Sequence, residues 1–144
     1  MTIDLNCDMG EGFPDDAAIM PYITSANIAC GFHAGSDDII RRTIDLALQN
    51  NVAIGAHPGF KDKENFGRTE IQLPLNEVYG LVSEQVILLQ KSAGSAGADL
   101  QHVKPHGALY NMSARDGSLA AMIAKARQII IVFCMLFLPH SSWL

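Results

Sequence analysis

The sequence VAIGAHPGF, residues 52–60, is a short apolar run that is interrupted and ended by glycines, a histidine and a proline. A buried parallel strand reads as a nearly continuous apolar run, and glycine and proline mark its end. The segment therefore predicts a buried strand that presents His57 to the following loop. The same design recurs in residues 3–12, 26–35 and 100–107, where apolar runs lead into polar residues and glycine.

Amphipathic patterns separate most of these strands and predict three helices. Their apolar stripes are Ile40, Ile44, Ala47 and Leu48; Val78, Leu81, Val82, Val86 and Leu89; and Leu119, Met122, Ile123 and Ala126. Ser36 or Asp37 is predicted to cap the first helix and Asn76 the second, and the third helix is predicted to begin near Asp116 or Ser118. The order β, β, α, β, α, β, α predicts an α/β fold with a parallel sheet, in which ligands bind beyond the carboxyl ends of the strands.

Polar residues follow every predicted strand instead of one switch point, which favours a β/α barrel over an open nucleotide-binding sheet. The sequence contains neither G-x-G-x-x-G nor G-x-x-x-x-G-K-[ST], the two glycine-rich phosphate-binding motifs. We therefore expect a site that is built from several strand ends.

The composition is that of a globular domain. Of the 144 residues, 49% are hydrophobic and 17% charged, and the net charge is −5. Without a Lys/Arg cluster, this balance argues against a nucleic-acid or anionic membrane surface. The first residues lack a basic and an apolar signal region, so we expect the cytoplasm. Cys7, Cys30 and Cys134 form no CxxC pair, which makes a disulfide framework or a zinc ribbon improbable.

Asp8, His33 and His57 come at the ends of the first three strands, where a carboxylate and two neutral imidazoles can hold a divalent metal. The alternative is that Asp8 caps loop amides and that each histidine is only hydrogen-bonded. Cys30 is expected to behave as a small buried hydrophobe. A nucleophilic Cys30 paired with His33 is the less favoured alternative.

Three further residues are predicted to act in catalysis. Glu11, between two glycines, is either an acid/base group or a solvated turn residue. His106 can transfer a proton, and Lys104 can bind a substrate carboxylate. His102 is expected to pack near the start of the fourth strand.

Four residues are predicted to bind substrate, namely Asn27, Arg68, Tyr110 and Asn111. Arg68 can hold a carboxylate through two hydrogen bonds, or it can pair with Glu64. Tyr110 and Asn111 can contact the ligand or orient their loop. The residues alone do not choose between these alternatives.

Five segments carry a resemblance to a known family: DLNCDMGEG (4–12), MPYITSANIACGFHAG (20–35), GAHPGF (55–60), FGR (66–68) and HVKPHGALYN (102–111). In this order they resemble the LamB/YcsF family. The resemblance implies a seven-stranded β/α barrel of the glycoside hydrolase/deacetylase type. It also implies ATP-dependent opening of 5-oxoproline to glutamate, together with B and C subunits that form the complex through which ATP acts.

The resemblance covers roughly residues 3–127 and is followed by IIIVFCMLFL, residues 129–138. We therefore divide the chain into 1–127, the N-terminal part of an incomplete barrel, and 128–144, a divergent hydrophobic tail. Ten apolar residues are too few to cross a bilayer, which takes ~20. Two alternatives stay open: an inactive truncated or pseudogene product, and a metal-dependent deacetylase of carbohydrates, suggested by fold analogy alone.

Overall fold

The computed structural model describes the backbone of residues 3–137 and the side chains of residues 3–129. Four parallel strands form a sheet in the order β1-β2-β3-β4. The strands are β1 (Asn6–Met9), β2 (Ser25–Ala29), β3 (Ala53–His57) and β4 (Leu100–Val103). The helices are α1 (Asp16–Ile19), which continues into a 3-10 turn at Met20–Tyr22, α2 (Asp37–Gln49), α3 (Leu75–Ser95), α4 (Gly107–Ser113) and α5 (Gly117–Phe137).

The predicted α/β class with a parallel sheet is confirmed. Ser36 caps α2 as predicted, since its side chain accepts a hydrogen bond from the Ile39 amide at 3.4 Å. The prediction that Asn76 caps the next helix is wrong, because Pro74 occupies the cap position and α3 begins at Leu75, which places Asn76 inside the helix. Proline has a fixed φ that suits a helix start and no amide hydrogen to satisfy there.

The sequence patterns did not predict two short helices. Helices α1 and α4 have four and seven residues, which is too short for an apolar period to stand out. Helix α4 begins directly after His106, so the fourth strand end leads into a helix start and not into an extended loop.

The two faces of the sheet differ in chemistry. Side chains alternate between faces along a strand, and Met9, Ile28, Ile54 and Ala56 join the buried apolar core that α2 and α3 complete. The opposite face carries polar side chains that contact one another: Asn6, Asp8, Ser25, Asn27 and His102. We call it the polar face. It leads to the carboxyl ends of the strands, where the predicted site residues lie.

The predicted division between residues 127 and 128 falls inside α5, whose backbone is helical through Phe137. Leu138, the last residue of the apolar run, lies outside the described residues, and the division stays a prediction. Across residues 3–137, no helix combines the length and apolar character needed to cross a membrane.

Candidate active site

Four side chains from four different strand ends converge on one point. Glu11 follows β1, His33 follows β2, His57 ends β3 and His106 follows β4, and one ligand atom of each lies within 4.8 Å of those of the other three. The three histidines are buried, with 1%, 1% and 6% of their surface exposed. This group, which we call the histidine cluster, joins residues predicted as metal ligands to residues predicted as catalysts.

Backbone carbonyls fix the protonation of two of the rings. His57 Nδ1 lies 2.7 Å from the carbonyl oxygen of Lys104, and His106 Nε2 lies 2.8 Å from that of Phe66. A carbonyl oxygen only accepts hydrogen bonds, so these two nitrogens carry the protons. The remaining nitrogens, His57 Nε2 and His106 Nδ1, face each other at 3.0 Å, and each carries a lone pair when its ring is neutral. Burial lowers the pKa of His106, with further lowering by nearby His33, which favours the neutral ring.

His33 and Glu11 bring further unsatisfied atoms to the same point. Both ring nitrogens of His33 and Oε1 of Glu11 are buried without a hydrogen-bond partner among the described residues. Glu11 Oε1 lies 3.7 Å from His33 Nε2, 3.9 Å from His57 Nε2 and 3.6 Å from His106 Nδ1. Buried polar atoms are normally hydrogen-bonded. A buried cluster of unpartnered imidazole nitrogens and a carboxylate oxygen is therefore suited to bind a cation or a polar substrate atom.

Asp8 and Lys104 form an ion pair beside the cluster. Lys104 Nζ lies 2.6 Å from Asp8 Oδ1 and 2.8 Å from Oδ2. Burial alone would raise the pKa of Asp8, but contacts with His57, Lys104 and Asn27 together hold it well below its usual range. Asp8 Oδ2 also lies 3.4 Å from His57 Nε2. Asp8 thus adjoins the cluster, while its carboxylate is occupied by the lysine.

The loop after β3 covers the cluster through Phe66 and Gly67. Phe66 accepts the hydrogen bond from His106 and adopts a left-handed backbone with a φ of 56°. Gly67 has a φ of 64°, and a Cβ built there would lie 2.7 Å from the Cβ of His33. Only glycine allows the loop to approach this closely. The loop therefore fixes the orientation of His106 and shields His33.

The buried Gln85 anchors the chain just beyond His57. Its Oε1 accepts a hydrogen bond from the Gly59 amide at 3.0 Å, and its Nε2 donates to the Gly59 carbonyl at 2.9 Å. Sequence reasoning missed this residue. The available signal was a polar side chain three positions after Val82, on the buried stripe of α3.

The predicted substrate-binding residues occupy different surroundings. Asn27 is fully buried on the polar face and hydrogen-bonds Asp8. Arg68, Tyr110 and Asn111 are exposed, and the Arg68 guanidinium lies 5.4 Å from the centre of the Phe66 ring. Within the part of the chain that the structure describes, Arg68 forms no ion pair with Glu64. The binding roles of these four residues stay predictions.

Cys30 lies in the core instead of the site. It is 4% exposed, and burial raises the pKa of its thiol to about 12. The thiol is the wrong species for nucleophilic attack, which needs the thiolate. The favoured interpretation of Cys30 as a buried hydrophobe agrees with this environment.

The sequence matches known proteins over most of its length. The sequence profile of the LamB/YcsF family matches residues 3–143. The chain belongs to the LamB/YcsF family. Relatives in this family include proteins named as the A subunits of 5-oxoprolinase from Bacillus cereus (strain AH820), 52% identical, and from Bacillus anthracis (strain A0248), 51% identical, each over 130 residues. Those matches cover 87% of this chain and 51% of each relative, so the chain spans about half their length.

A solved structure supports the family fold. The crystal structure of a lactam utilization protein from Thermus thermophilus matches 90% of this chain and 54% of its own, with a TM-score of 0.87 and 45% sequence identity. At this similarity the two chains share the fold over the matched region. The parallel sheet is therefore part of a fold that this chain shares with the lactam utilization protein.

Proposed function

We propose that the chain performs the function of the 5-oxoprolinase A subunits it is similar to, opening the cyclic amide 5-oxo-L-proline to L-glutamate. Supporting this are the 52% identity to those subunits and the lactam utilization neighbour. The observation that carries the proposal is the buried histidine cluster beside an Asp8–Lys104 ion pair. Such a site offers lone pairs to a reacting amide and a positive charge to a substrate carboxylate.

The assembly and setting are part of the same proposal. From the resemblance, we take B and C subunits as partners and ATP as the energy source, acting through the complex, and we place the enzyme in the cytoplasm. We also take the four strands as part of a seven-stranded barrel of the glycoside hydrolase/deacetylase type. The relatives are named as one lettered subunit of an enzyme, which supports an assembly of several different chains.

Lys104 is the proposed anchor for the substrate carboxylate. An ammonium has three donor hydrogens, and the contacts of Lys104 with the two Asp8 oxygens leave one for a ligand. The Lys104 side chain is 41% exposed, so a small anion can reach it. Asp8 then serves to orient the lysine, and not to bind metal as the sequence predicts.

Glu11 and His106 are the proposed proton-handling groups. Opening the amide adds water across the C–N bond: the water oxygen bonds to the carbonyl carbon, and one proton ends on the departing ring nitrogen. Glu11 Oε1 is a buried acceptor without a donor among the described residues, placed to take the water proton and return it to that nitrogen. His106 Nδ1, 3.6 Å away, is a second acceptor in reach in the metal-free site, because a bound ion would occupy its lone pair.

The cluster also fits a divalent metal. Three neutral imidazole nitrogens and a carboxylate are donors that suit zinc, whose tetrahedral ligand atoms lie about 3.4 Å apart given bonds of about 2.1 Å. The cluster atoms are separated by 3.0 Å to at most 4.8 Å. We propose His33, His57 and His106 as ligands, with Glu11 beside them as the proton acceptor. When bound, the ion would supply a Lewis acid for the amide carbonyl.

Metal content and turnover test the two parts separately. We expect the chelator-treated protein to bind one zinc ion in calorimetry and mass spectrometry, H33A and H106A to lose binding, and E11Q to keep it. H102Q is the matched control, because His102 lies outside the cluster. If the wild type binds no zinc, the facing nitrogens of His57 and His106 share a proton instead, and the metal part of the proposal is wrong.

For turnover, the assay follows glutamate released from 5-oxoproline in the presence of B and C subunits and ATP. Product that depends on the chain supports the proposed function. Release of acetate from acetylated sugars, with no glutamate from 5-oxoproline, would instead support the carbohydrate deacetylase alternative. If the folded protein catalyses neither reaction, this result would support the alternative of an inactive truncated or pseudogene product.

A further inference from the structure

Four residues lie in register across the sheet, one on each strand. Asp8 pairs with Asn27, Asn27 with Gly55, and Gly55 with His102. The His102 ring extends over Gly55, since a Cβ built on that glycine would lie 2.1 Å from His102 Nε2. The missing side chain lets the ring reach β2, where Nε2 lies 2.6 Å from Asn27 Oδ1.

The Asn27 amide has one orientation that satisfies these neighbours. Its Nδ2 lies 2.7 Å from Asp8 Oδ1, and the ionised carboxylate of Asp8 can only accept a hydrogen bond. Nδ2 therefore faces Asp8 and Oδ1 faces His102. Because an amide oxygen also only accepts, His102 must donate through Nε2–H.

Asn27 has no hydrogen-bonding capacity left for a ligand. Its Oδ1 accepts from Asn6 Nδ2 at 3.2 Å in addition to His102, and its Nδ2 donates to Asn6 Oδ1 in addition to Asp8. The residue is 0% exposed. Asn27 thus donates a hydrogen bond to Asp8 from a buried position and does not reach a substrate.

We propose that His102 is a positioning residue that acts through Asn27 on the Asp8–Lys104 pair. Donation from His102 holds the Asn27 oxygen away from Asp8 and keeps the amide hydrogens on the carboxylate. Without that donor the amide can rotate and turn its oxygen toward Asp8. The carboxylate then moves away from the repelling oxygen and no longer fixes Lys104. The consequence for turnover rests on the proposed function, whereas the hydrogen-bond relationship does not.

The side-chain amide hydrogens of Asn27 report this relationship without any turnover. By NMR hydrogen exchange on the folded protein, we expect these hydrogens to be protected in the wild type and in H102Q, whose amide can still donate. H102L has similar bulk and no donor, and we expect at least roughly fivefold faster exchange, as for the loss of one hydrogen bond. Q101L, at the exposed neighbouring position of β4, is the control and should match the wild type.

A second variant reaches the same contact from the other side. G55A places a methyl group where the His102 ring lies, so it should expose the Asn27 amide as H102L does, and the G55A/H102L double variant should add nothing further. Unchanged exchange in a folded H102L would overturn the proposal, because the space that the side chain fills, and not its donor, would then protect Asn27. Equally fast exchange in H102Q and H102L would also overturn it, because a donor at this position would then have no effect.

Turnover separates this inference from the proposed function. In the assembled enzyme we expect H102L to lower kcat/KM by at least roughly fivefold, as for the loss of one hydrogen bond, and H102Q to restore most of it. Glutamate production by the wild type decides the proposed function. Asn27 exchange decides the role of His102 even if the wild type opens no lactam.

Discussion

His57 Nε2 and His106 Nδ1 face each other at 3.0 Å, while the opposite nitrogen of each ring contacts a backbone carbonyl. The carbonyls hold the two protons on the far sides of the rings. When both rings are neutral, the near sides carry lone pairs in a buried site, where unpaired polar atoms are costly. The arrangement therefore favours binding of a cation or of a polar substrate atom. It also ties the chemistry of the site to the backbone of two loops.

The Lys104 and His106 variants should separate binding from chemistry. Lys104→Ala removes the proposed carboxylate anchor and should chiefly raise KM, whereas His106→Ala removes a proposed zinc ligand, or the proton acceptor of a metal-free site, and should chiefly lower kcat. Steady-state kinetics of 5-oxoproline opening by the assembled enzyme measures both values. Small and equal effects of both substitutions would assign these residues a structural role instead.

Gly67→Ala should destabilise the fold and disturb the cluster. The residue has a φ of 64°, and the new Cβ would lie 2.7 Å from the Cβ of His33. Strained backbone of this kind costs on the order of 1–3 kcal/mol, measured as a lower free energy of unfolding in urea. The control is Gly80→Ala, in helix α3 with no atom within 4 Å of its added Cβ. That variant should gain roughly 0.5–1 kcal/mol, and a loss at Gly80 equal to that at Gly67 would refute the local explanation.

The spacing of apolar residues and the polar residues at strand ends were sufficient to predict the parallel sheet and the edge at which the candidate site residues lie. The apolar run before His57 ends at a strand terminus as expected, and Glu11, His33, His57 and His106 meet. These predictions succeeded because parallel strands bring their carboxyl ends to one edge, wherever the residues lie in the chain.

The partners of each residue could not be predicted in the same way. Glu11 and His106, predicted as catalysts, lie with the predicted metal ligands His33 and His57, and Asp8 instead pairs with Lys104. Which side chains contact each other depends on differences of about an ångström in their placement, and the spacing of residues in the sequence carries no information on this scale. The role of Gly55 was equally hidden, because its missing Cβ matters only through a ring on the neighbouring strand.

Cys30 should resist alkylation in the folded protein. Burial raises the pKa of its thiol from 9.0 to about 12, so the reactive thiolate is scarce at pH 8 and the reagent has no access. We expect iodoacetamide labelling, mapped by mass spectrometry, to modify half-buried Cys7 before Cys30. Because the pKa of Cys30 is raised on folding, its protonated form stabilises the fold below pH 9 and this contribution is lost as pH rises toward 12. Rapid labelling of Cys30 at pH 8 under native conditions would show that this part of the core opens readily.

Gln85 should matter for stability more than its position in a helix suggests. Gln85→Met keeps the side-chain length but leaves the Gly59 amide and carbonyl without their partners at 3.0 and 2.9 Å. Each buried unsatisfied group costs about 1–3 kcal/mol, so we expect the free energy of unfolding to fall by at least about 2 kcal/mol. Glu84→Met, the same side chain introduced at the exposed neighbouring position, should change it by less than about 0.5 kcal/mol. Since Gly59 lies two residues after His57, Gln85→Met should also weaken zinc binding by the cluster. Normal zinc affinity in a destabilised Gln85→Met protein would mean that Gln85 supports the core and not the site.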